Sequence, residues 1–96
     1  MRNLKEIKLI LKKNKGKLQD KYKVNRIGIF GSYIHGNQDE SSDIDILVEF
    51  FEPIGWEFID LKEFIEGILD LKVDLVTPNG LKPVIREKIL KDVIYA

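Results

Sequence analysis

Residues 43–50 constrain this chain more than any other segment. Ile44, Ile46, Val48 and Phe50 alternate with Asp43, Asp45, Leu47 and Glu49. That is the period-two pattern of a strand whose aliphatic face lies in a core. Such a strand needs further strands, or a helix laid across it, to be stable in water. The chain has 96 residues, room for one small core and no second one, so a single domain over 1–96 is expected. At 44% apolar and 33% charged it reads as globular, which excludes wholesale disorder and collagen-like repeats.

The rest of the chain supplies the cover. Leu4, Ile7, Leu11, Leu18 and Tyr22 recur at helical spacing over 3–22, with Ile10 widening the stripe. Asn3 is an N-cap candidate with Glu6 three residues on, as in a capping box. Gly16 is the weak point of that helix. Asn25 to Phe30 reads as a short buried strand, Gly31-Ser32 ends it, and a helical turn fits 32–35. Residues 36–42 form a polar loop. Phe58, Leu61, Ile65 and Ile68 mark a helix over about 56–70, Lys72 to Val76 a third strand, and Pro83 or Val84 the start of a last helix. The expected class is α+β, a two-layer α/β arrangement with helices packed on a small mixed sheet, in the order α-β-α-β-α-β-α.

With no cysteine, neither a disulfide framework nor a thiolate metal site is available. The apolar runs are too short to span a bilayer and the first residues are no signal peptide, so a cytoplasmic protein is expected. The net charge is zero but unevenly placed. Residues 1–26 hold ten Lys/Arg against Glu6 and Asp20, a local +8, and the remainder carries −8. Charge patterning favours the solvated side of an amphipathic helix over a face for an anionic partner.

Asp43 and Asp45 lie two apart on one strand, so their carboxylates share a face. If the strand containing Asp74 pairs alongside, Asp74 can join them. Carboxylates at about 6 Å repel by roughly 2–3 kcal/mol per pair at an effective dielectric near 20. Such a cluster calls for a counter-charge or raised pKa values. All-oxygen ligation favours a hard cation, Mg²⁺ or Mn²⁺; unrelated acids at strand ends remain the alternative. Gly31-Ser32 directly follows a strand, where successive N–H groups and the Ser32 hydroxyl can cradle a phosphate, although Gly-Ser alone is most often just a turn.

Gly31-Ser32, ten residues, then Asp43-x-Asp45 resembles the signature of the DNA polymerase β-like nucleotidyltransferases. The stretches Ile29 to Gly36, Ser42 to Phe50 and Lys72 to Val76, with Lys82-Pro83-Val84-Ile85-Arg86 opening the last helix, are similar to the minimal nucleotidyltransferases (MNT) over nearly the whole chain. The resemblance implies that Asp43, Asp45 and Asp74 hold divalent metal, two Mg²⁺ ions, and carry catalysis. It further implies that Gly31 and Ser32 grip the triphosphate of ATP. Stand-alone MNT domains commonly form the antitoxin half of HEPN/MNT toxin–antitoxin pairs. The implied reaction is then AMP transfer from ATP to a tyrosine hydroxyl of a HEPN-family RNase toxin, releasing diphosphate. Direct nucleic-acid binding is not expected. A non-catalytic antitoxin that acts by contact, and nucleotide addition to RNA, are the alternatives. One departure stands out: the family pattern Gly-Ser-x-Ala-Arg-Gly has Arg where this chain has His35. Arg carries a permanent forked charge and His is mostly neutral near pH 7. A structural or incidental role is expected for His35, since there is no second His for a metal site.

Phe50 and Phe58 read as core residues. Phe51, Ile54 and Trp56 are the better candidates for an interface. Tyr95 either packs in a partner groove or frays.

Overall fold

A computed structural model describes residues 2–36 and 42–96. The polar loop read over 36–42 therefore lies mostly outside the described residues. The first helical stretch is two helices, α1 (Leu4–Lys13) and α2 (Lys15–Tyr22). The break falls at Asn14, not at Gly16. The Asn14 side-chain amide donates to the Ile10 carbonyl at 2.9 Å and so competes with the helix ladder. At the other end Asn3 accepts from the Glu6 amide at 2.9 Å, the N-cap read from the sequence. Lys12 and Lys13 occupy the last turn of α1, where cations suit the helix dipole.

The strands are β1 (Val24–Phe30), β2 (Ile44–Phe50), β3 (Val73–Val76) and β4 (Ile94–Tyr95). The helices between them are α3 (Ser32–His35), α4 (Glu57–Leu69) and α5 (Pro83–Asp92), with a 3₁₀ turn at Pro78–Gly80. The sheet order is β3-β2-β1-β4. β1 runs antiparallel to β2 and β4, and β3 runs parallel to β2. That mixed sheet with helices on it is the class the sequence implied. The parallel β2–β3 pair requires a crossover, and α4 is that crossover. β4 is an addition: Tyr95 does not fray but pairs opposite Gly28 on β1.

One face of the sheet carries the core. Ile27, Ile29, Ile44, Ile46 and Val48 meet Ile7, Leu11 and Leu18 from α1 and α2 and Leu61, Ile65 and Leu69 from α4, all buried. The stripes at helical spacing and the alternation in β2 thus close on each other, as binary patterning requires. Truncating one of these, such as Leu61→Ala, costs about 2–5 kcal/mol. Phe50 and Phe58 pack edge to face at 6.4 Å against the core. The other face bears Asp45, Leu47 and Glu49 and carries the candidate site.

Candidate active site

Three rows of side chains cross the second face. Phe30, Asp45 and Asp74 form the first, because Phe30 pairs with Asp45 and Asp45 with Asp74. Gly28, Leu47 and Val76 form the second. Arg26 and Glu49 form the third, joined by an ion pair at 2.9 Å. The parallel register of β2 and β3 thus sets two carboxylates side by side on strands about 4.8 Å apart.

Such a pair is electrostatically unfavourable. Burial, the Asp74 charge, the hydrogen bond that the protonated Asp45 donates to Asp74, and the Asp43 charge push the Asp45 carboxyl up to about 6. Among the described residues, no lysine or arginine makes an ion pair with Asp43, Asp45 or Asp74. Among the described residues, no ion pair supplies the charge that would relieve the cluster. Asp43 precedes β2 and is exposed at its open end, close enough for its charge to be felt at Asp45. Among the described residues, no three His, Cys, Asp or Glu groups already stand close enough to hold a metal ion. The fold therefore brings Asp45 and Asp74 together and leaves Asp43 beside them on a free side chain. A donor set made only of carboxylate oxygens, mutually repelling, fits a hard divalent cation.

Gly31 closes this corner. Its φ is +77°, in the region that glycine favours. A Cβ there would collide with Oδ2 of Asp45. The turn thus lies directly against the carboxylate, and it can approach so closely only because position 31 has no side chain. The Gly31 carbonyl accepts from the amide of Ile34 at 3.1 Å, which starts α3. Ser32 follows as the first residue of that helix.

His35 ends α3 and stands 3.3 Å from Asp92 at the end of α5, with both side chains about half exposed. It ties α3, which follows the Gly31 turn, to the end of α5, a role no sequence spacing reveals. The C-terminal strand is fastened independently. Tyr95 donates to Glu49 at 3.1 Å, accepts from Arg26 at 3.0 Å, and lies under the Arg26 guanidinium at 4.0 Å. Burial and the hydrogen bond to Glu49 raise the Tyr95 hydroxyl above its ordinary pKa, which keeps it a neutral donor. Arg86 pins the start of α5 by donating to the carbonyls of Pro78 at 2.7 Å and Leu81 at 3.0 Å. Two clefts of about 610 and 420 Å³ lie at the opposite end of β2, around Phe50 and Thr77. Neither is lined by the aspartates. The candidate site therefore rests on the carboxylate geometry and not on cleft size.

Comparison with known proteins gives the same fold and a chemistry to go with it. Residues 11–96 match the family described as nucleotidyltransferase domain. A Thermococcus cleftensis protein, protein adenylyltransferase MntA, is 45% identical over 96 residues, covering 99% of this chain and 97% of its own. A solved toxin–antitoxin structure with AMP-PNP superposes with a TM-score of 0.68 and 28% identity, over 86% of this chain and 69% of that one. Another holds a tri-AMPylated Shewanella oneidensis HEPN toxin in complex with an MNT antitoxin. It superposes with a TM-score of 0.64 and 25% identity, over 93% of this chain and 70% of its counterpart. No helix among the described residues is long and apolar enough to cross a membrane.

Proposed function

This chain belongs to the nucleotidyltransferase domain family, and on that premise we propose that it is a protein adenylyltransferase antitoxin of the cytoplasm. It transfers AMP from ATP to a tyrosine hydroxyl of a cognate HEPN-family toxin and silences it. The observation that carries this reading is the side-by-side placement of Asp45 and Asp74 against the Gly31 turn. Relatives of this kind point the same way: one is named for protein adenylylation, and another is seen with its AMPylated toxin.

In the reaction the acceptor oxygen attacks the α-phosphorus of ATP. An O–P bond forms, the bond from that phosphorus to the bridging oxygen breaks, and diphosphate leaves. Asp43, Asp45 and Asp74 would hold Mg²⁺, which supplies charge stabilisation to the attacking and leaving oxygens. The residues of the chain orient and deprotonate. Gly31 lets the turn close over the carboxylates, and the N–H groups of that turn with the Ser32 hydroxyl face the phosphates. Asp74, half of the paired carboxylates, accepts the proton of the acceptor hydroxyl. At a barrier-lowering of 1.36 kcal/mol per factor of ten, removing either paired carboxylate is expected to cost at least about a hundredfold in rate.

The test is to incubate the purified chain with ATP, Mg²⁺ and the HEPN toxin and to weigh the toxin by mass spectrometry. A gain of whole AMP units on tyrosine, absent with Asp45→Asn, is the expected result. A tight complex with unmodified toxin would refute catalysis and leave inhibition by contact.

A further inference from the structure

We propose that a second copy of this chain docks its basic α1 face onto the acidic, aromatic surface where β2 passes into α4, so that copies associate head to tail. The receiving surface centres on Trp56, which is 85% exposed. Tryptophan is a leading anchor of protein interfaces and is seldom left so bare. Phe51 at 53% and Ile59 at 52% exposure extend the apolar area. Ile54 and Phe58 line the adjoining cleft, giving a side chain somewhere to enter. From Glu49 to Glu63 the chain carries five acids, Glu49, Glu52, Glu57, Asp60 and Glu63, against Lys62. Among the described residues Glu52, Asp60 and Glu63 make no ion pair. An apolar centre with an acidic rim fits a basic segment that carries an apolar tip.

This chain presents such a segment. On α1, Lys5, Lys8 and Lys12 surround Leu9, which is 54% exposed. None of the three lysines makes an ion pair among the described residues. Within one copy the two surfaces cannot meet. Ile7 and Leu11 of α1 are buried in the core that also holds Leu61 and Ile65 of α4. At 100° per residue Leu9 stands about 200° from Ile7, pointing away from that core. The lysines of α1 and the acids around Trp56 that are unpaired among the described residues can therefore meet only between molecules. Contact between two different patches is heterologous and builds rings or rows of copies, not a two-fold dimer.

Sedimentation of three proteins tests this: wild type, Trp56→Asp, and the triple variant Lys5→Glu, Lys8→Glu, Lys12→Glu. All substituted side chains lie outside the core, so circular dichroism should match wild type. At low salt the wild-type average mass should rise with concentration, and about 0.5 M salt should weaken association at least about tenfold. Each variant alone should be a monomer. An equimolar mixture of the two should form a 1:1 dimer and stop there, because each partner keeps the surface the other lacks. Three results would overturn the proposal: wild type monomeric up to about 1 mM, Trp56→Asp associating as wild type does, or a mixture that stays monomeric. No step of this test depends on adenylyl transfer.

Discussion

Replacing Asp45 with asparagine removes a charge that folding makes unfavourable. In the unfolded chain this carboxyl titrates near 3.8, and in the fold it titrates near 6. Between those values the folded chain binds the proton more tightly than the unfolded chain does. Stability is therefore greatest at the acid end, declines as pH rises from about 4 to about 6, and is level above that. The full shift corresponds to at most about 3 kcal/mol. Solvent reaches part of the carboxylate and screens it, which brings the expected penalty to about 1 kcal/mol. For a domain of this size that is about 4–8 °C in melting temperature. In chelator at pH 8, Asp45→Asn should melt higher than wild type by about that amount, and at pH 4 the two should coincide. Thermal unfolding followed by circular dichroism across the pH range reads this directly. A variant less stable than wild type at pH 8, or a difference that does not change with pH, would refute the carboxylate-pair argument. Because asparagine matches the shape of aspartate, packing cannot account for the gain.

Two glycines give predictions of opposite functional weight. Gly31→Ala introduces both a strained φ and a collision with Asp45, so we expect a stability loss of about 1–3 kcal/mol in denaturant titration and at least a tenfold drop in AMP transfer. Gly28→Ala places a Cβ 2.6 Å from Val93 Cγ2. It should destabilise by about 1–3 kcal/mol through loss of β4 docking, while the transfer rate per folded molecule stays within about twofold of wild type.

The strand 44–50 and the helix 57–69 were legible because each has a long, clean periodicity tied to burial. The pairing of Asp45 with Asp74 was half legible. Alternation puts both on exposable faces of their strands, but only the tertiary register, Ile44 opposite Val73 and onward, sets them side by side. The break at Asn14 was misplaced to Gly16 because glycine's propensity is visible in sequence, while a side-chain bond to the Ile10 carbonyl is not. β4 was missed altogether. Two residues carry no periodicity, and Ile94–Tyr95 exists as a strand because Gly28 leaves room for it and Arg26 and Glu49 hold the Tyr95 hydroxyl. His35 shows the same limit, since its contact with Asp92 spans 57 positions.

Parallel assays with ATP labelled at the α or at the γ phosphorus, each run with wild type and with Asp74→Asn, test the central claim most directly. The account predicts that wild type moves the α label alone onto the acceptor protein, and that Asp74→Asn, folded and equally able to bind that acceptor, moves neither. Transfer of the γ label, or undiminished α transfer by Asp74→Asn, would contradict it.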